Sequence, residues 1–196
     1  MIVPMMPFAT DMNLGAAYNR ALALLPEDAW AILLDHDMLF TTREWYRQFE
    51  EAIRFMPGAG AFVAVTNRIN ACWQRAEESD PENHDIGYHT AIGLARLKRR
   101  MLLDITDTKG FGGVCFAVSK QGWKDAGGFA DGLMCVDHSL HFGLQRAGRR
   151  SYLLEGLYVY HRRRAFVGPL PHGVPKAKQC PCRGPEQLPT VRIALP

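Results

Sequence analysis

Trp30-Ala31-Ile32-Leu33-Leu34-Asp35-His36-Asp37-Met38-Leu39-Phe40 is the stretch of this chain that decides its fold. The apolar run before the first acid predicts a strand that is buried on both faces. The acids follow this strand, so we expect them at its carboxyl end, the edge where open α/β sheets bind ligands. Because side chains two apart on a strand point the same way, Asp35 and Asp37 can face one hard cation while His36 turns away. The alternative is a strand that simply ends in a polar turn.

The composition is typical of a globular chain of one domain. Hydrophobic residues make up 47% and charged residues 22% of the 196 positions. The net charge of +3 is too small to indicate a nucleic-acid partner, although Arg162-Arg163-Arg164 is a local basic cluster. No segment reaches about 18 consecutive apolar residues, and the amino terminus lacks the pattern of a signal peptide. We therefore expect no transmembrane segment and a cytoplasmic location.

The five cysteines are an odd set that includes Cys180-Pro181-Cys182. In a reducing compartment the expected state is free thiols. The alternative is that Cys180 and Cys182 hold a metal or form a regulatory disulfide. A metal site would need further ligands, and the sequence has no second cysteine pair to supply them.

Alternating apolar runs and helix signals indicate an α/β domain. We expect strands at residues 2–8, 30–34, 61–66, 114–119 and 151–160, and helices at 14–25, 41–56, 120–126 and 136–147. Asp11 or Asn13 is the expected cap of the first helix. Residues 70–100 are polar and weakly patterned, which predicts a long surface excursion. Its histidines, His84 and His89, could be ligands, but loop histidines are more often exposed and idle.

Several short motifs follow one another along the chain in a particular order. They are Asn13-Leu14-Gly15, Asp35-His36-Asp37, Gly112-Gly113-Val114, Gly127-Gly128-Phe129, Asp137, Gln145-Arg146-Ala147-Gly148 and Tyr158-Val159-Tyr160-His161. Their order and spacing resemble the family 2 glycosyltransferases of the GT-A fold. The resemblance implies a single-domain, nucleotide-diphospho-sugar transferase-like fold with a mixed, mostly parallel sheet flanked by helices. Residues 1–168 would form a minimal catalytic domain, and residues 169–196 an extended tail packed on it.

The resemblance implies a hexosyltransferase-like enzyme that uses a nucleotide-diphosphate sugar and a hydroxyl acceptor. Asp35, Asp37 and His161 would hold a divalent metal, with the first two forming the family's Asp-x-Asp motif. A cation there would neutralise the charge that develops on the leaving diphosphate. Carboxylates suit Mg²⁺ or Mn²⁺, and the imidazole favours Mn²⁺.

The resemblance also implies roles for other side chains. Asp137 matches the acid that deprotonates the acceptor in inverting enzymes, and its alternative role is a plain helix cap. The residues expected at the nucleotide and diphosphate are Pro7, Phe8, Asp11, Asn13, Arg162 and Arg163. The residues expected at the acceptor are Gly112, Gly113, Trp123 and His138.

The chain departs from the family pattern in three respects. Val136-Asp137 stands where the family has Glu-Asp, and a further acid of the family is Ser139 here. The part before Asn13 is shorter than in the family, and the missing strands usually form much of the nucleotide pocket. Two alternatives therefore stay open. One is a degenerate GT-A domain that binds nucleotide or metal without catalysis, and the other is a metal hydrolase that uses Asp35, Asp37, His138, His141 and His161.

Overall fold

Eight strands form one mixed sheet within residues 1–162 and 188–196, the part of the chain that the computed structural model describes. The strands are β1 Ile2–Met5, β2 Trp30–Leu34, β3 Met38–Phe40, β4 Ala61–Thr66, β5 Met101–Asp104, β6 Cys115–Ser119, β7 Ser151–His161 and β8 Arg192–Ala194. The helices are α1 Leu14–Ala23, α2 Trp45–Phe55, α3 Ile86–Arg96, α4 Lys120–Asp125 and α5 Val136–Arg146, with a 3-10 turn at Cys72–Gln74.

The sheet confirms the α/β class but not the expected strand directions. Its strand order is β1-β2-β6-β4-β7-β5-β8. Strand β3 is outside this order and pairs with β7. Only the β1–β2 and β4–β7 pairings are parallel, and the other five are antiparallel. The expectation of a mostly parallel sheet is therefore wrong. Hydrophobic patterning locates strands, but it carries no information on their relative direction.

The strand directions bring several segments to one edge of the sheet. Strands β1, β2, β4 and β7 run the same way, and β6 lies antiparallel between β2 and β4. The carboxyl ends of β2, β4 and β7 therefore meet the amino end of β6. This edge carries Asp35 after β2, Asn67 after β4, Gly113 before β6 and His161 at the end of β7.

The two faces of the sheet pack against separate hydrophobic clusters. In β2, Ala31 and Leu33 join the cluster that contains Leu22 of α1 and Leu140 of α5. Trp30 and Ile32 join the opposite cluster, which contains Phe49 and Ala52 of α2. Side chains alternate across a strand, so β2 is buried on both faces, as its sequence predicted.

The region 70–100 is more ordered than its composition indicated. It contains the 3-10 turn and all of α3, whose N-cap Asp85 accepts a hydrogen bond from the N–H of Tyr88. Two polar residues of α3, His89 and Arg96, are buried. The surface-loop prediction is wrong here, because buried polar side chains with partners hide the apolar pattern of a helix. The short strands β3 and β5 were also not predicted.

Three predicted helices, α1, α4 and α5, begin where the sequence indicated, whereas α2 begins at Trp45 and not at Thr41. Asn13 caps α1 by accepting from the N–H of Ala16, as expected. Within the segment expected to be an extended tail, Arg192–Ala194 pairs with β5. The expectations for Arg163, Cys180 and Cys182 lie outside the described residues. None of the described helices combines the length and the apolar character that crossing a bilayer requires.

Candidate metal centre and adjoining pocket

Asp35, Asp37 and His161 form a tight cluster at the sheet edge. One ligand atom from each of the three lies within 4.8 Å of the other two. Asp35 and Asp37 stand in the turn between β2 and β3, and β3 pairs with β7 so that Met38 is opposite His161. The pairing therefore brings the imidazole to the two acids.

The turn after β4 holds His161 in one orientation. Its Nδ1 lies 2.8 Å from the main-chain oxygen of Arg68, which can only accept, so Nδ1 carries a proton. Its main-chain N–H donates to Asn67 Oδ1 over 2.7 Å, and Asn67 is only 2% exposed. Nε2 is left facing Asp37. In metalloproteins, a hydrogen bond at one ring nitrogen commonly orients the other for the metal.

The cluster concentrates negative charge in a poorly solvated place. Burial raises the pKa of Asp35 to about 7; the attraction of His161 opposes this rise, and the charges of Asp37 and Asp137 add to it. The hydrogen bond from His161 lowers the pKa of Asp37 despite partial burial. Buried acids that repel one another are stabilised by a bound cation. Two carboxylates and one imidazole are also ligand types that Mn²⁺ accepts, so the residues fit a divalent metal.

A cavity of about 210 Å³ opens beside the cluster. Its wall includes two members of the cluster, the loop before β6, the start of α5 and the loop after β4. The lining residues are Asp35, Ile69, Asn70, Ala71, Gly112, Gly113, Val114, Met134, Cys135, Asp137, His138 and His161. Gly112, Gly113, Asp137 and His138, four of the residues predicted from the sequence, therefore share one cavity with the candidate metal ligands.

Asp137 does not act as the N-cap of its helix. The cap position of α5 is Cys135, whose side chain makes no capping bond. Oδ2 of Asp137 instead accepts from the N–H of Gly113 over 2.8 Å, and Oδ1 accepts from the N–H of His138. The carboxylate is thus held against the loop that contains Gly112 and Gly113, at the wall of the cavity.

Trp123, expected at the acceptor, lies outside the cavity lining. Its Nε1 donates to Asn19 Oδ1 over 2.8 Å, and its ring packs against the core. Oδ1 of Asn19 also accepts from the N–H of Phe129. Trp123 therefore helps to join α4 to α1.

The residues expected at the nucleotide base also lie outside the cavity lining. Phe8 is 83% exposed, and Asp11 accepts from the N–H of Asn13. Asn13 caps α1 and also accepts from the N–H of Gly132. Arg162 is exposed, and its main-chain N–H donates to the oxygen of Asp37.

The histidines of the hydrolase alternative do not converge. His138 lines the cavity, whereas His141 is buried and its Nε2 lies 3.1 Å from the oxygen of Thr108. Burial lowers the pKa of His141 to about 4. Among the described residues, only Asp35, Asp37 and His161 form a group of metal-ligating type. His89 is not idle, since it bonds to the hydroxyl of Tyr158 and to the oxygen of Asn83.

The sequence analysis did not identify Asn67 and Gln74 as site residues. Asn67 accepts from the main-chain N–H of His161, and Gln74 accepts from that of Gly112. Asn67 follows a buried strand just as Asp35 does, and this position was a signal that could have identified it. Gln74 carried no such signal, because its partners are main-chain atoms distant in sequence.

The chain matches no protein-family model. It also shows no significant similarity to any curated protein. A functional assignment therefore depends on the geometry of the site.

Proposed function

We propose that this protein is a metal-dependent glycosyltransferase that moves a sugar from a nucleotide-diphosphate donor to a hydroxyl acceptor. One observation carries the proposal. The cluster of Asp35, Asp37 and His161 opens on a cavity whose wall also holds Asp137. A metal-binding cluster next to an oriented carboxylate supplies the two functions that such a transfer needs, stabilisation of the leaving diphosphate and removal of the acceptor proton.

Asp35, Asp37 and His161 would hold the cation, and the imidazole in this set favours Mn²⁺ over Mg²⁺. When bound, the cation neutralises the negative charge that develops on the leaving diphosphate. The Arg68 carbonyl binds Nδ1 of His161, so Nε2 would be the ring atom available to the cation. Arg162, which follows His161 and is exposed, is available to the diphosphate oxygens.

Asp137 would act as the general base. Its carboxylate takes the proton of the acceptor hydroxyl while the acceptor oxygen bonds to the anomeric carbon of the sugar. The bond from that carbon to the diphosphate oxygen breaks in the same displacement, so the configuration inverts. The Gly113 N–H fixes Oδ2, and this contact orients the carboxylate before the acceptor binds.

A second candidate is a domain that binds a metal or a nucleotide without transfer. Two observations favour it. Phe8, Asp11 and Asn13 do not line the cavity. The cavity of about 210 Å³ is also smaller than the roughly 300–1,000 Å³ of typical small-molecule sites.

Calorimetric titration with UDP and GDP, each with and without Mn²⁺, tests the proposal. We expect one nucleotide to bind only with Mn²⁺, and Asp35→Asn to weaken Mn²⁺ binding by about 100-fold or more, or about 2.7 kcal/mol. Asp125→Asn, the same change at an exposed acid that does not line the cavity, is the matched control and should bind as the wild type does. Binding that needs neither metal nor Asp35 would refute the metal site. Metal-dependent binding with no transfer across a panel of donors and acceptors would select the second candidate.

A further inference from the structure

Gln74 makes three hydrogen bonds in the interior beside the cavity. Its side chain is fully buried, at the end of the 3-10 turn. Oε1 accepts from the N–H of Gly112 over 2.8 Å. Nε2 donates to the oxygen of Gly112 over 3.0 Å and to the oxygen of Ala64 over 3.1 Å. The amide therefore pairs with both polar groups of Gly112, as a neighbouring strand would.

The peptide group between Gly112 and Gly113 is held from both sides. Its C=O belongs to Gly112 and accepts from Gln74, and its N–H belongs to Gly113 and donates to Asp137 Oδ2. In a trans peptide these two groups point in opposite directions. Gln74 and Asp137 thus bind opposite edges of the same peptide plane.

This peptide has unusual freedom to rotate, because glycine stands on both sides of it. A flip would point the Gly112 oxygen, in place of the Gly113 N–H, at the carboxylate of Asp137. The oxygen would repel the carboxylate, and Asp137 would lose the contact that orients it. The bond from Gln74 Nε2 to the Gly112 oxygen opposes that flip directly, and the bond from the Gly112 N–H to Oε1 holds the preceding peptide in place.

We propose that Gln74 is a positioning residue, which fixes the orientation of the Gly112–Gly113 peptide and through it the carboxylate of Asp137. This role rests on the function proposed above, in which Asp137 is the general base. Gln74 does not line the cavity and touches no reacting group. Its effect is transmitted through one peptide plane.

Amide hydrogen exchange of Gly113, measured by NMR on the metal-free protein, tests the proposal without any need for activity. We expect Gln74→Met, which removes the polar atoms at similar length, to speed exchange of the Gly113 amide by about tenfold or more, as local opening becomes easier. Asp137→Asn provides the reference for a weakened contact at the same N–H. The matched control is Gln48→Met on α2, which should leave Gly113 exchange unchanged.

Gln74→Glu serves as a second variant if the methionine protein does not fold. Burial favours the neutral carboxyl group of this glutamic acid. Its carbonyl oxygen can still accept from the Gly112 N–H, but its single O–H replaces the two donors that Gln74 offers to the oxygens of Gly112 and Ala64. We expect the Gly113 amide of the Gln74→Glu variant to exchange at a rate between the rates of the wild type and the methionine variant. Wild-type exchange at Gly113 in a folded Gln74 variant would overturn the proposal.

Kinetics separate a positioning role from a general structural one. We expect Gln74→Met to lower kcat by about 100-fold, the cost of a small misplacement of a catalytic group, while Mn²⁺ affinity and the donor KM stay within about twofold. An equal loss of Mn²⁺ affinity would indicate general damage and would contradict the proposal. If the wild type transfers no sugar, the proposed function fails, while the exchange experiment still reports on the peptide.

Discussion

The imidazole of His161 and the carboxylate of Asp37 lie 3.3 Å apart, from Nε2 to Oδ1, where β3 and β7 pair. Burial opposes a charge on the ring, but the hydrogen bonds to Asp37 and to the Arg68 carbonyl outweigh it and raise the pKa of His161. The ring is therefore held by two acceptors, one in the turn before β3 and the other in the turn after β4. Its position depends on the integrity of both turns.

Asn67→Ala should weaken the metal site indirectly, through His161. The substitution leaves the main-chain N–H of His161 without its acceptor at a buried position. We expect a loss of about 1–3 kcal/mol in the free energy of unfolding and a drop of about 10–100-fold in Mn²⁺ affinity. Urea unfolding and Mn²⁺ titration by electron paramagnetic resonance measure the two effects. Asn83→Ala, which removes the acceptor of the exposed N–H of Asp85, should change stability by less than about 1 kcal/mol.

Gly112→Ala should collide with Ile69. A Cβ at position 112 would lie 1.9 Å from Ile69 Cδ1, so either the Ile69 side chain or one of the two segments must move. We expect a loss of about 1–3 kcal/mol in stability, typical of overpacking. Ile69→Ala in the same chain should relieve the collision, so that the two changes are non-additive by about 1 kcal/mol or more in a double-mutant cycle. Simple additivity would contradict the close contact.

Lys120 should contribute to stability through the end of α1. Its ammonium is buried and donates to the oxygens of Leu22, Ala23 and Leu25 at 2.6, 2.8 and 3.0 Å. A cation at a helix carboxyl end satisfies carbonyls that lack partners within the helix.

We expect Lys120→Met to lower the free energy of unfolding by about 3 kcal/mol, measured in urea. The matched control is Lys124→Met, which removes only the exposed pair with Glu27 and should cost less than about 1 kcal/mol. Equal effects of the two substitutions would refute the capping role.

His141 should make the fold sensitive to acid. Burial lowers the pKa of His141 from 6.5 to about 4, so the unfolded chain binds this proton at a higher pH than the folded protein does. The contribution to stability is complete above pH 6.5 and decreases as the pH falls from 6.5 towards 4, by up to about 3 kcal/mol.

His141→Gln should flatten the dependence of unfolding free energy on pH in that window, measured by urea titrations at several pH values in chelator. A slope unchanged in the His141 variant would contradict the inference.

Local patterns in the sequence predicted the elements whose residues carry their own signals. The apolar run of β2 and the cap at Asn13 are examples, because burial on both faces and helix capping depend on adjacent residues. The clustering of Asp35, Asp37 and His161 was an expectation from motif order, and the structure brings them together.

Features that depend on distant partners could not be predicted in this way. The polar residues of α3 concealed a helix, since the burial of His89 and Arg96 depends on their hydrogen bonds to the distant side chains of Tyr158 and Glu78. Trp123 carries no local sign that its partner is Asn19 rather than a ligand. Strand direction depends on the whole topology, and the antiparallel β6 could not be inferred from its own five residues.

The first strand has a consequence for self-association. β1 lies at the end of the strand order, and no other described strand pairs with its outer side. Met1 accepts from the N–H of Trp30, so the alternation along β1 turns the main-chain groups of Ile2 and Pro4 outward. Proline has no N–H, so the outward-facing edge of Ile2–Met5 has only one hydrogen-bond donor, the N–H of Ile2. This margin is therefore a poor template for strand addition by a second molecule, which protects the open end of the sheet from aggregation.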